Sequence, residues 1–225
     1  MATSYESFVS EVTPFVPGCP DALVISYIRK TVIDLCVRAS VYRRDLDPIS
    51  AQEGTHEYEL EAPTGTVIHR IDGVTHLGKP LDAVNGQLLN TRYPSWREES
   101  ARGTPRVFMQ RPEQLIWLVP TPAASASAST IVSAVLKPLR SSKSCADDVM
   151  EDYVDTIISG AIANLMRMPG MAWENANLSN AYMGLYLQGV SDAQEHAASE
   201  DTAIHRTSKF TDVTGRGTRR RRKRY

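Results

Sequence analysis

Residues 20–44 read PDALVISYIRKTVIDLCVRASVYRR. Val24, Ile28, Thr31, Leu35, Ala39 and Tyr42 recur at steps of three and four, and Ile25, Val32 and Cys36 widen the stripe. That spacing keeps the apolar side chains on one side of an α-helix, with Lys30, Asp34 and Arg38 on the other. Pro20 suits the first helical position, Asp21 complements the positive end of the dipole, and Arg38, Arg43 and Arg44 load the negative end. Pro48 forbids continuation. At 1.5 Å per residue the helix is about 37 Å long. So wide a stripe needs other helices to cover it, and two candidates lie more than a hundred residues downstream.

The first of these is 147–167, DDVMEDYVDTIISGAIANLMR, with Asp147, Asp148, Glu151 and Asp152 crowding its N-terminus as the dipole favours. Tyr153, Ile157, Ala161 and Leu165 make its stripe. The Gly160-Ala161 pair in mid-helix costs about 1 kcal/mol in propensity, which close approach of a neighbouring helix offsets. Pro169-Gly170 ends it. A last helix, 172–199, carries Leu178, Tyr182, Leu185, Tyr186, Gly189 and Ala193 on one side.

Between 50 and 140 the period changes from helical to two. Stretches 56–60, 67–71 and 74–77 alternate, with turns at Pro63-Thr64-Gly65, Asp72-Gly73 and Gly78-Lys79-Pro80. After a polar stretch at 85–105, strands resume at 106–111, 114–119 and 130–137. Residues 120–130, PTPAASASAST, offer nothing to bury and read as an exposed hairpin loop. The predicted fold is mainly α: an antiparallel helical bundle with an inserted antiparallel β unit of about five to six strands. An arm and long helix (1–49), the β insertion (50–140), two bundle helices (141–200) and an extended basic tail (201–225) are the expected parts.

The 225 residues, 42% of them hydrophobic, carry a net charge of −1 that is unevenly spread. Residues 216–225 hold seven Lys/Arg and no acid, leaving 18 basic against 26 acidic side chains elsewhere, a net of −8. Cysteines 19, 36 and 145 form no CxxC and point to a reducing compartment. The N-terminus lacks the pattern of a signal peptide, and the clearest apolar run, 115–119, is too short to span a bilayer. An intracellular product is expected.

No constellation of nucleophile, base and orienting group is readable. Histidines 56, 69, 76, 196 and 205 show no HExxH and no i, i+4 pair, so no metal or cofactor is expected. Gly215-x-Gly217 is followed by arginines and no helix, which excludes a dinucleotide fingerprint. Trp96, with Arg92, Arg97 and Arg102 around it, has the composition of a subunit-interface anchor in preference to a base-stacking platform. The strongest local signal is the tail: Arg216, Arg219, Arg220, Arg221, Arg222, Lys223 and Arg224. Such a run binds nucleic acid, an import receptor or an acidic protein surface.

Several pieces resemble, in order, the head–tail adaptor (connector) proteins of tailed bacteriophages. Pro17-Gly18-Cys19-Pro20-Asp21 precedes the long helix, which closes on Tyr42-Arg43-Arg44-Asp45-Leu46. Gly103-Thr104-Pro105 is followed by Ile116-x-Leu118-x-Pro120-x-Pro122. Leu136-Lys137-Pro138 leads to the acidic helix with Gly160-Ala161, then to Met168-Pro169-Gly170, Trp173 and a helix centred near Tyr182. The resemblance implies a non-enzymatic protein of the virion neck, assembled in the host cytoplasm. It further implies a dodecameric homo-oligomeric ring under the portal, a tail or nozzle protein below it and packaged DNA passing through, with no membrane partner. Within that reading the tail meets the portal or, secondarily, DNA. The alternative is a nucleic-acid-binding protein acting through the tail.

Overall fold

The computed structural model describes residues 2–96, 98, 101–112 and 114–200. It begins with strand β1 (Ala2–Ser4), a short helix α1 (Val9–Val12) flanked by 3-10 turns, and the long helix α2 (Asp21–Ala39). Strands β2 (Arg43–Asp45), β3 (Ile49–Ala51), β4 (Glu57–Glu59), β5 (Thr66–His76), β6 (Lys79–Pro80) and β7 (Asp82–Ala83) lead to helix α3 (Gly86–Arg92). Then come β8 (Arg102–Gly103), β9 (Val107–Arg111), β10 (Leu115–Val119), β11 (Thr121–Pro122), β12 (Ala126–Pro138) and β13 (Ser144–Ala146). Helices α4 (Asp147–Asp152), α5 (Val154–Met166) and α6 (Ala176–Glu200) complete the described chain.

The mainly α bundle expected above is not what forms: helix takes 41% and strand 29% of the described residues, in several sheets. One sheet runs β2-β12-β5-β6, with β3 also on β12; a second runs β4-β10-β9-β7. Two further pairs, β1 with β13 and β8 with β11, tie distant segments together. Much of this strand is short edge structure, such as β2, β3, β6 and β7, whose sequences are too brief to alternate visibly. The Ala/Ser run read as a loop is one only at 123–125; from Ala126 it is the start of β12, where Ala126 faces Ala51 and Thr130 lies between Ile49 and His76. Backbone hydrogen bonds to two neighbours hold that segment, and composition reports side chains only.

The long helix is also shorter than its pattern. Ser40 adopts a left-handed conformation (φ 56°) and donates its N–H to the Cys36 carbonyl, closing α2. Arg43 then pairs with Val135 at the sheet edge, so the last part of the apparent stripe, including buried Tyr42, belongs to the helix-to-strand passage. The acidic helix likewise breaks at Tyr153, between α4 and α5.

One core joins helices and sheets. Val24, Ile28 and Leu35 of α2, Ile157, Ala161 and Leu165 of α5 and Tyr186 of α6 share a cluster with Ile68, Ile116, Val132 and Leu136. A smaller cluster under α3 gathers Leu89, Trp96, Val107, Met109 and Val119. The neighbour expected at Gly160 is there twice over. A Cβ on this residue would lie 2.6 Å from Thr31 Cγ2 and 2.7 Å from Tyr186 Cδ2, so α2 and α6 both cross α5 at that point. Gly189 makes the matching approach of α6 to Thr156. Those contacts set the rotation of α6, burying Tyr186, Val190, Ala193 and Ala197. Leu178 and Leu185, expected on the core side, stand 45% and 55% exposed.

Gly160→Ala is expected to lower stability by about 2–3 kcal/mol of overpacking, more than the roughly 1 kcal/mol gained in helix propensity. Gly184, exposed on α6 with nothing within 4 Å of a would-be Cβ, provides the control. Gly184→Ala should raise stability by about 0.5–1 kcal/mol. Urea melts of both variants check the pair.

Candidate functional site

The residues that sequence reasoning grouped as a subunit anchor are placed differently from one another. Arg92 is exposed at the end of α3, and Arg97 lies outside the described residues. Trp96 is buried, 7% exposed, and its indole N–H donates to Asn90 Oδ1 at 3.0 Å. Its ring sits 5.2 Å from that of Trp117, which also meets His56 at 5.2 Å and takes the Arg111 guanidinium 4.7 Å over its face. Trp96 therefore anchors α3 onto the β9–β10 hairpin of its own chain. Arg102 reaches Glu53 instead, at 3.5 Å.

Arg216, Arg219, Arg220, Arg221, Arg222, Lys223 and Arg224 all lie outside the described residues. The place where α6 ends is defined. Tyr153 Oη is 3.3 Å from His196 Nδ1, and Gln194 donates to the Arg38 carbonyl at 2.8 Å. The chain thus leaves α6 beside α4 and the C-terminus of α2. The α4 acids do more than complement a dipole: Asp147 accepts from Thr3 at 2.6 Å, and Asp148 pairs with Arg44. Glu151, Asp152 and Asp155 are exposed.

Among the described residues no group of three or more His, Cys, Asp or Glu side chains could hold a metal ion. His76 is buried against Thr130, Nδ1 to Oγ1 2.8 Å, and desolvation lowers its pKa below the ordinary 6.5. His69 is lowered as well, by desolvation and by the charges of Lys137 and Arg70. All three cysteines are free and buried. Cys36 and Cys145 act on each other's titration, Cys36 being raised and Cys145 lowered by their interaction. Buried deep in the core, Cys36 is a packing residue with a weak donor. The Tyr186 hydroxyl donates to Asp34 at 2.7 Å, and burial, then that hydrogen bond, pushes its pKa up. Burial likewise pushes Tyr5 up to about 12.

Two outer surfaces went unread in the sequence. A groove of about 400 Å³ runs over the solvent side of α2, lined by Arg29, Lys30, Ile33, Val37 and Arg140 among others. The Arg29 Nη1 donates to the Arg140 carbonyl at 2.8 Å, holding that loop as one wall. The second surface is the α6 face bearing Leu178 and Leu185. Its available signal was charge: residues 175–191 contain none.

What the described residues offer are exposed apolar and charged faces on a frame of packed helices and sheets. A family model described as SU10 adaptor protein matches residues 3–210, and the chain belongs to that family of phage structural adaptors. No curated protein matches the chain. Among the described residues no helix is long and apolar enough to cross a membrane.

Two outcomes follow. Trp96→Ala should cost the isolated chain about 3–5 kcal/mol, as for a buried core tryptophan; an unchanged melt would mean that Trp96 acts between chains. Because the folded state holds His76 below its unfolded pKa, the unfolded chain takes up the proton first as pH falls. The stability from neutral His76 is present above about pH 6.5 and lost below it. Thermal melts from pH 7 to pH 5 should therefore decline less steeply in His76→Gln than in the parent.

Proposed function

We propose that this adaptor assembles as a ring, a dodecamer, that joins the portal to the tail or nozzle protein and lengthens the channel through which DNA passes. It resides in the virion neck and assembles in the host cytoplasm. The observation that carries this reading is the family match over residues 3–210, joined to helix faces that the chain leaves uncovered. The charge distribution supports it. A body with a net charge of −8 outside the last ten residues suits a wall past which phosphates must slide, since basic walls would hold them.

Arg216, Arg219, Arg220, Arg221, Arg222, Lys223 and Arg224 are proposed to seat against acidic groups of the portal, where each guanidinium forms paired hydrogen bonds with a carboxylate. Exposed Arg92 is proposed to face a neighbouring subunit. A second reading, a nucleic-acid-binding protein working through the tail, is favoured by the same seven cations. It makes its own quantitative claim: if all seven met duplex phosphates, log K would fall with log salt at a slope of about −6.

Mass measurement of isolated necks should give about twelve copies in closed cyclic symmetry; a stable dimer there would rule the ring out. Truncation before Gly215 should abolish binding to purified portals in the absence of DNA. Equal binding by truncated and full-length protein would transfer the tail to nucleic acid.

A further inference from the structure

Helix α6 carries no charged side chain from Asn175 to Ser191, yet this segment turns Leu178 and Leu185 to water. Charged residues normally occupy the solvent side of such a helix, and a neutral, leucine-bearing side marks a contact face. Leu178, Leu185 and Asp192 are spaced by seven, so they form one line along the helix: two leucines, then an acid. The chain's own groove over α2 cannot receive that line. The α6 helix meets α2 through Tyr186 on Asp34 and Gln194 on the Arg38 carbonyl. Leu185 lies nine residues from Gln194, about 180° around the helix.

The groove has complementary polarity. Its N-terminal half along α2 presents Arg29 and Lys30, with Arg140 on the wall; its C-terminal half presents the half-buried Ile33 and Val37, beside Asp34, whose carboxylate is already held by Tyr186 and Arg38. These aliphatic groups lie on the side of α2 opposite its buried stripe, where the chain's own core does not use them. We infer that the Leu185–Asp192 part of this line in one copy docks antiparallel into the α2 groove of a second copy, with Leu178 passing beyond the C-terminal end of α2, and that this contact links neighbours in the assembled adaptor. The registers agree. Leu185 to Asp192 and Val37 to Lys30 are both seven residues, about 10.5 Å of helix, so leucine on valine places carboxylate on ammonium.

The alternative of α6 pairing with the same line of another α6 is disfavoured by the same spacing. Leu185 on Leu185 in an antiparallel pair sets Asp192 against Leu178, a carboxylate facing an apolar group. Line and groove are different surfaces, so each bound pair leaves one of each free. Such a head-to-tail contact propagates until rotation closes it. The inference rests on the ring reading proposed above and assigns the surface that builds it.

The test places p-benzoylphenylalanine at position 185 of the full-length protein in purified particles, followed by irradiation and peptide mapping. Expected is a ladder extending beyond dimer, with the crosslink mapped to residues 26–37 of another copy. Ile33→Asp should cut the yield more than tenfold, as loss of a central interface residue does. Asp192→Lys should cut it about two- to fivefold, and Lys30→Glu in the same chain should restore it, in keeping with a rim pair. This charge swap decides the matter if Ile33→Asp fails to fold. Crosslinks to a second α6 or to another protein, a ladder stopping at dimer, or no ladder would overturn the contact. Absence of the protein from particles would instead overturn the ring reading itself.

Discussion

The constraint on which most of this structure depends is the crossing at Gly160. Three helices meet where only a hydrogen atom fits, with Thr31 on one side and the Tyr186 ring on the other. Close backbone approach there fixes the rotation of α6 about its axis, and Gly189 against Thr156 fixes it a second time. The rotation decides which side chains enter the core. It also lets the Tyr186 hydroxyl reach Asp34, whose same oxygen, Oδ2, takes Arg38 Nε at 2.8 Å. What remains outside, the leucine line of α6 and the outer groove of α2, is a by-product of the same packing.

The sheets make this arrangement rigid and do not form an independent appendage. Strand β12 is the common member: it takes β5 on one edge and β2 and β3 on the other, while Val132 and Leu136 enter the helical core. Charged pairs reinforce the frame: Arg44 with Asp148 joins the sheet to α4, and Arg43 with Asp72 spans β12 within the sheet. At the far side Trp96 and Trp117 lock α3 onto the second sheet.

Much of the helical layer was legible because its signals are periodic. The α2 stripe, the glycine requiring a close neighbour and the acidic start of α4 all appear where the spacing put them. The strands were less legible because edge strands of two or three residues have no period to read, and because β12 opens with alanines and serines held by backbone bonds. The end of α2 was overrun because Tyr42 continues the apolar spacing although Ser40 has already turned the chain. On α6 the count of apolar residues exceeds what one face can bury, so periodicity alone could not choose between Leu185 and Tyr186. At Trp96 residue type alone leaves the anchored partner open: its setting fits an anchor between chains, and within this chain its ring packs on Trp117.

The pairing of the first strand with β13 has a consequence for synthesis. Ala2 lies opposite Ala146, and the stripe of α2 is covered by helices that start only at Val154 and Ala176. On a ribosome adding about 5–20 residues per second, the α2 stripe therefore emerges on the order of ten seconds before its partners. Throughout that interval Val24, Ile28 and Leu35 lack the helical part of their cover, and contacts so distant along the chain form slowly even after release. A protein of this topology gives chaperones a long apolar segment to hold before it gives a neighbour a finished surface to bind.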